Sequence, residues 1–380
     1  AARLGMDAND VRRKNAISAD EMPYHRPLEA LGEEIEHDSG DYTGLLDKLL
    51  TALEWEKLKA DLARRRAEGE AVGAGFAMFV EKSGLGPADG VRIEVDNAGI
   101  VELITGGASI GQGFETVMAQ VCAQMLGVDY RHVRSRATVM TASATHNAAV
   151  KLRAKALDVA AELMQAAPDA LDIVDGKVVR KDAPAGPSMT LGEIADHLEP
   201  TSKTLGEREP GLSCEGWFRV RHQVYPYGIH FAVVNVDRET GGVAVERYVI
   251  AYDIGRAINP ALVEGQIVGG FAQGLGGALL EEFTFNERGD PLATTFADYL
   301  LPSVRETPGV DVILREDYKS PLNPLGIKGA GESGITGVGA AIASAIDDAI
   351  GMPGAVTQLP VTPQQLRRIL NGGRGGRSPD

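Results

Sequence analysis

The sequence is poor in cysteine: only Cys122 and Cys214 occur among 380 residues. Two thiols build neither a disulfide framework nor the four-thiolate ligand set of an iron–sulfur cluster, so any such electron-transfer centre must sit on another chain. Cys122 falls on the apolar face of an expected helix, where a buried structural thiol is the expected role, and Cys214 carries no signal. Positive charge is also scarce. Lys and Arg number 38 against 53 Asp and Glu, a formal net charge of −15, which argues against a nucleic-acid partner because affinity for the phosphate backbone comes from clustered cations. The one basic run, Arg64-Arg65-Arg66, has acids around it and reads as a solvated helix end. No basic leader precedes an apolar stretch and no apolar run is long enough to span a bilayer, so a cytoplasmic chain without a membrane span is expected. The seven histidines, His25, His37, His132, His146, His197, His222 and His230, show no metal-ligand spacing, and surface or core packing is their expected role.

What is present is ordinary in amount: 44% hydrophobic and 24% charged residues, enough for a chain of two or more domains that buries a sizeable core. The opening Ala1-Ala2-Arg3-Leu4-Gly5-Met6 reads as helix without an initiator methionine, so the sequence is expected to begin within something longer. Leu45, Leu46, Leu49, Leu50, Leu53, Leu58 and Leu62 recur at helical spacing and predict one amphipathic helix over 45–66. Residues 73–80 and 91–95 are β-prone runs with turn chemistry at 84–87 and at Asp96-Asn97-Ala98-Gly99, which predicts an antiparallel meander. Helices are expected over 114–126 and 151–165, a hairpin around Asp175-Gly176, and a short helix opened by the capping box Thr190-Leu191-Gly192-Glu193. Residues 217–254 alternate apolar with polar and predict a hairpin turning at Glu239-Thr240-Gly241-Gly242. Ile267, Phe271, Leu275 and Leu279 then repeat every four residues through Gly265, Gly269, Gly270, Gly274, Gly276 and Gly277. Each helical glycine costs up to about 1 kcal/mol, so something is expected to approach this backbone closely. Helices over 338–350 and 363–370 precede a glycine-rich tail.

Three glycine-bearing segments carry chemistry: Gly106-Gly107-Ala108-Ser109-Ile110-Gly111-Gln112-Gly113, Gln273-Gly274-Leu275-Gly276, and Lys328-Gly329-Ala330-Gly331-Glu332-Ser333-Gly334. Each is expected to join a loop or strand to a helix and to present backbone N–H groups at the helix N-terminus, where an anionic cofactor binds well; a tight turn is the plain alternative. Gly334-Ile335-Thr336-Gly337-Val338-Gly339 superficially suggests a dinucleotide loop, but no parallel βαβ unit surrounds it and no acid follows at the required distance. Glu332 stands out, flanked by residues that leave it sterically open just before an apolar helix of small residues. A carboxylate there is either a helix-capping acid or a catalytic base in a dry pocket, and the sequence weighs the two evenly.

The order and wording of five segments resemble the molybdopterin-binding large subunit of the xanthine dehydrogenase/aldehyde oxidase/aerobic carbon monoxide dehydrogenase family. They are Gly111-Gln112-Gly113; Tyr252-Asp253-Ile254-Gly255-Arg256-Ala257-Ile258-Asn259-Pro260; Glu264-Gly265-Gln266 with Gln273-Gly274-Leu275-Gly276; Asp298-Tyr299-Leu300-Leu301-Pro302; and the stretch from Pro321-Leu322-Asn323-Pro324-Leu325-Gly326 through Gly331-Glu332-Ser333-Gly334. The resemblance covers residues 4–359 and corresponds to the C-terminal part of the subunit. Phe79-Val80-Glu81-Lys82-Ser83-Gly84 leans toward the carbon monoxide dehydrogenase-like branch.

The resemblance implies an α+β molybdenum-cofactor-binding domain with mixed sheets and glycine-rich helices. Its divisions would be a helical segment over 1–70 continuing from a missing half, a first cofactor-binding subdomain over 71–165, a connecting insert over 166–214, a second subdomain with the catalytic Glu over 215–362, and a tail over 363–380. The metal would be held by the dithiolene of molybdopterin, or of its cytosine dinucleotide form, and by no protein side chain. [2Fe–2S] clusters and FAD would sit on an iron–sulfur subunit and an FAD-binding subunit. The cofactor would be held by Gly111, Gln112 and Gly113, by Ser135, Arg136 and Thr138, by Gln273, Gly274, Leu275 and Gly276, and by Lys328, Gly329, Ala330 and Gly331. In the family scheme the glutamate at Glu332 takes a proton as a water-derived oxygen attacks an electron-poor carbon of an aldehyde, an N-heterocycle, a purine or carbon monoxide. Such a base needs a pKa raised by burial or matched to its proton donor. Two departures stand out: the family's Ala-Tyr-Arg-Gly-like loop precedes this chain's start, and the glycine-containing segment usual after Arg134 is lacking. The chain therefore reads as a fragment, as one half of a split subunit completed by an N-terminal half, or as an inactive truncated relative serving as a structural subunit.

Overall fold

The computed structural model describes residues 1, 4–30, 32–84, 86, 88–106, 109–136, 141–219 and 222–372, in two compact units. Unit 1 is Ala1–Ser83 with Val224–Ser320 and Ile327–Asp380; unit 2 is Gly84–Gln223 with Pro321–Gly326. The chain opens unit 1 with α1 (Ala8–Asn15), β1 (Tyr24–Ala30), β2 (Glu33–His37), α2 (Tyr42–Ala52), α3 (Trp55–Ala67) and β3 (Val72–Val80). It builds unit 2 from β4 (Ala88–Val95), β5 (Val101–Thr105), α4 (Phe114–Leu126), β6 (Val133–Arg136), α5 (Thr141–Leu163), β7 (Leu171–Val174), β8 (Lys177–Arg180), β9 (Met189–Thr190), α6 (Leu191–His197) and β10 (Leu212–Arg219). It returns to unit 1 with β11 (Tyr227–Val236), β12 (Val243–Asp253), α7 (Pro260–Leu279), β13 (Val310–Arg315), α8 (Val338–Ile350) and α9 (Pro363–Leu370).

The main sheet of unit 1 runs β13-β12-β11-β3, antiparallel except for the β12–β13 pair. Both faces are covered. Ile229, Phe231 and Val233 of β11 join Leu45, Leu46 and Leu49 of α2 on one side; Ala232, Val234 and Val236 join the apolar faces of α7 and α8 on the other. Hence β11 is buried almost end to end, where alternation in the sequence predicts a strand with one wet face. The single helix expected over 45–66 is two, broken where Glu54 adopts a left-handed conformation at φ 49°. Of the opening run, Ala2 and Arg3 lie outside the described residues, and Gly5 to Asp7 are not helical. Helix α1 starts at Ala8, with Asp7 Oδ1 accepting the Asn9 N–H at 2.7 Å.

Unit 2 has a sheet of order β10-β4-β5-β6, with β5 and β6 parallel; α5 packs on β10 and β4, and α4 lies beside α5. The meander expected over 71–107 is corrected here. The β4–β5 hairpin exists, turning at Asp96–Gly99, but β3 pairs with β11 in unit 1. Trp217 correspondingly lies on β10, paired with β4, and not in the later hairpin. Residues 166–214 build the three-stranded β7-β8-β9 sheet and α6, opened by the Thr190 and Glu193 capping box; Leu171, Ile173, Val178, Leu191 and Ile194 are buried there. Cys122 is buried on α4.

Candidate functional site

Residues 327–337 lead into α8 and are held in unit 1 by side chains from two strands, β11 and β12, and from the chain after β3. The deepest anchor is Lys328. Its ammonium contacts Asp253 Oδ1 at 2.9 Å with both side chains fully excluded from solvent; it donates to the Ser39 carbonyl at 3.2 Å and lies 5.2 Å from the centre of the Tyr227 ring. Asp253 also accepts from the Tyr227 hydroxyl at 3.0 Å and the Gly255 N–H at 3.1 Å. Burial pushes its carboxyl up while Lys328, Tyr227 and the Gly255 amide pull it back. Lys328 was expected to hold a cofactor. Its ammonium is enclosed by these partners and its N–H donates to the Ile254 carbonyl at 3.0 Å, so its side chain acts in the structure as the anchor of the loop.

Three further ties follow along the loop. The Gly329 N–H donates to Ser83 Oγ at 3.2 Å, and the Gly329 carbonyl accepts from the Tyr252 hydroxyl. A Cβ at Gly329 would stand 2.6 Å from Ser83 Cβ, so only glycine allows this approach. His230, wholly buried on β11, donates from Nε2 to the Ser333 carbonyl at 2.8 Å and receives the Tyr248 hydroxyl at Nδ1, also 2.8 Å. A carbonyl can only accept, which fixes the neutral tautomer, and burial takes the imidazole down to about 4. Gly334 lies against the glycine-rich helix, where a Cβ would stand 2.0 Å from the Ile267 carbonyl and 3.0 Å from Gly270 Cα. That is the close approach the glycines of α7 predict.

Glu332 is exposed at the tip of this pinned loop. The N-cap of α8 is Gly337, so Glu332 does not cap the helix, and the described residues of unit 1 supply no dry pocket around its carboxylate. A half-buried carboxyl stands beside it, that of Glu81, which the sequence marks only as part of a branch signature. Burial first, and then the charge of Glu332, push Glu81 up to about 7, while the Tyr252 hydroxyl at 3.3 Å and the Glu332 N–H oppose that rise. Tyr252 and Asp253 lie in one of the family-like segments, but nothing in the sequence assigns them the loop as partner.

The other candidates divide by location. Gln273, Gly274, Leu275 and Gly276 lie inside α7 and not at a helix N-terminus, which removes the anion-binding argument for that segment. Gly274 lets Val338 approach, a Cβ there standing 2.5 Å from Val338 Cγ2, and Gln273 is exposed. Ala330 accepts from Ser333 Oγ at 2.7 Å, and Gly331 faces open space. In unit 2, Gly113 at φ 74° is the N-cap of α4, as expected, and Gly111 at φ 98° also faces open space. Gln112 Oε1 accepts the Ile110 N–H at 2.7 Å, whereas its Nε2 is buried with no hydrogen-bond partner among the described residues. Ser135 and Arg136 lie on β6, paired with Leu103 and Ile104; Thr138 lies outside the described residues. Among the described residues no group of three His, Cys, Asp or Glu could hold a metal ion, and no helix is long and apolar enough to cross a membrane. A cleft of about 430 Å³ beside Arg12, Trp55 and Asp347 in unit 1 and one of about 790 Å³ beside Lys151, Arg208 and Cys214 in unit 2 contain none of the candidates.

Residues 48–308 match the family described as the molybdopterin cofactor-binding domain. The 6-hydroxypseudooxynicotine dehydrogenase complex subunit gamma of Paenarthrobacter nicotinovorans is 38% identical over 96% of this chain and 48% of its own length. The carbon monoxide dehydrogenase large chain of Hydrogenophaga pseudoflava is 31% identical over 94% of this chain and 47% of its own. The crystal structure of quinoline 2-oxidoreductase from Pseudomonas putida 86 superposes with a TM-score of 0.85 at 29% identity, covering 98% of this chain and 50% of that one. The chain thus spans about half the length of the relatives it matches.

Proposed function

Because the chain belongs to the molybdopterin cofactor-binding domain family of molybdenum hydroxylases, we propose that it is the part of such an oxidoreductase that carries the catalytic base, Glu332, and a share of the cofactor cradle. The observation that carries this reading is the loop around Glu332. Lys328, Gly329 and Ser333 are each tied to the body of unit 1, yet the carboxylate between them is exposed. A base held on so fixed a backbone is preorganised to take a proton at its carboxylate oxygens.

The orphaned donor of Gln112 supports a fit to the cofactor. A buried amide N–H without an acceptor is costly, and an acceptor atom of a pterin or its phosphate would satisfy it. Gly111 leaves room for that approach, and Gly113 sits at the positive end of α4, which favours an anionic group. The exposed Gln273 and the open side of Gly331 are the further positions offered, with Ser135, Arg136 and Thr138 assigned by resemblance. When bound, the molybdenum cofactor, as molybdopterin or its cytosine dinucleotide form, supplies the two-electron redox chemistry. Glu332 receives the proton lost by a water-derived nucleophile, so the product's new oxygen comes from water. The substrate is a small molecule with an electron-poor carbon; the names of two relatives favour an N-heterocyclic compound, and a third makes carbon monoxide the alternative. An iron–sulfur subunit and an FAD-binding subunit complete the assembly, together with an N-terminal half of the large subunit if that subunit is split.

The assembled complex tests this by molybdenum and pterin analysis and by turnover of a quinoline-type heterocycle in H₂¹⁸O. Bound cofactor and labelled product are expected. A complex that assembles without cofactor and stays inert would leave the chain a truncated structural relative.

A further inference from the structure

The Tyr252 hydroxyl carries one proton and faces two acceptors, the Gly329 carbonyl and Glu81 Oε2 at 3.3 Å. With Glu81 ionised, one acceptor goes without. With Glu81 neutral, every group is satisfied in one direction, because the acid donates to the Tyr252 oxygen and Tyr252 donates to Gly329. We propose that Glu81 is a positioning residue for Glu332, carrying the proton that closes this chain of hydrogen bonds onto the loop. The neutral acid also removes a second negative charge from beside Glu332, whose own N–H faces the Glu81 carboxyl.

Among the described residues, no cation acts on the Glu81 carboxyl. Glu81 is faced by Tyr252 from β12 and by Glu332 from the loop. On those same elements Asp253 and Lys328 are closed on each other, while His230 on β11 is neutral and engaged with Ser333. The sign follows from the direction of the shift. Glu81 holds its proton more tightly in the closed loop than in water, from the ordinary 4.5 up to about 7. Protonation therefore stabilises the closed loop, fully below pH 4.5 and progressively less as pH rises to about 7. Each pKa unit corresponds to about tenfold in loop opening, so the whole change is at most on the order of a hundredfold.

The inference rests on Glu332 being the base only for its effect on turnover, so the test reads the loop directly. Amide hydrogen exchange of peptides spanning 328–336 is followed in the assembled holoprotein from pH 4.5 to 8, corrected for the intrinsic pH dependence of exchange. Protection is expected to fall by tenfold or more and to level off above about pH 7. Glu81→Gln, whose amide donates to Tyr252 as the neutral acid would, keeps the protection and loses its pH dependence; Glu81→Ala and Tyr252→Phe show the lower, high-pH level of protection throughout. In turnover Glu81→Gln loses the titration near pH 7, and Glu81→Ala lowers kcat more than it raises KM. Wild-type protection that does not vary with pH, or a Glu81→Gln loop as open as that of Glu81→Ala, would overturn the proposal. An active Glu332→Gln holoprotein with pH-dependent protection would support it and remove only the assignment of the base.

Discussion

Replacing Lys328 by Met keeps the length of the side chain and removes its charge, leaving Asp253 buried beside a thioether. The carboxylate retains the Tyr227 hydroxyl and the Gly255 N–H but loses its one counter-charge among the described residues, an ammonium 2.9 Å away with no solvent access to either group. Breaking a buried pair by removing one partner costs about 3–5 kcal/mol, because the remaining charge is stranded in a medium of low dielectric. For a body of this size that corresponds to a loss of roughly 6 to 20 °C in melting temperature. The assay is thermal and urea unfolding of Lys328→Met, Asp253→Asn and the double variant. In the double variant no buried charge remains, so its cost should be well below the sum of the singles, with a coupling of about 2 kcal/mol or more. A Lys328→Met variant within about 1 kcal/mol of wild type, or costs that simply add, would refute the view that this pair anchors the Glu332 loop.

Gly334→Ala places a methyl 2.0 Å from the Ile267 carbonyl and should cost about 1–3 kcal/mol in the same unfolding assays while increasing exchange at 333–337; an unchanged midpoint would contradict the packing. His230 is neutral down to about 4 in the folded chain, so the unfolded chain binds its proton first as pH falls. Stability is then lost between pH 6.5 and about 4, by on the order of 3 kcal/mol, and His230→Gln should show a smaller loss over that window; equal slopes would refute the neutral, buried imidazole. Gln112→Leu removes an orphaned buried donor, so the cofactor-free chain should be as stable as wild type or more so, while pterin content of the assembled complex falls. Full pterin content would remove Gln112 from the cradle.

Local rules made much of this chain legible. Helix α4 ends where Gly127 turns left-handed, α8 where Gly351 does, and α9 opens with Thr362 as N-cap and Pro363 in its first turn. Pairings between distant segments were not legible, because periodicity shows that a strand exists and not which strand it meets. That is why β3 was placed beside β4 when its partner is β11. Glu54 was invisible for the opposite reason: a left-handed glutamate breaks no apolar pattern. The site divides in the same way. Glu332, Gly113 and Gln112 stand in short motifs whose wording carries the roles proposed for them. The anchoring of Lys328 on Asp253, of Ser333 on His230 and of Glu81 near Tyr252 joins segments far apart in sequence. A lysine ordinarily reads as a surface residue, and here it is buried only because a paired acid waits for it.

The central claim is that Glu332 is the base, and its most direct measurement is kcat of Glu332→Gln in the assembled, cofactor-loaded complex alongside molybdenum and pterin content. Loss of a positioned base costs about 10²–10⁴ in rate. The account predicts a fall of that size with cofactor content unchanged and residues 328–336 still protected from exchange, since the anchors of the loop are other residues. A variant that turns over within tenfold of wild type with full cofactor content would contradict it.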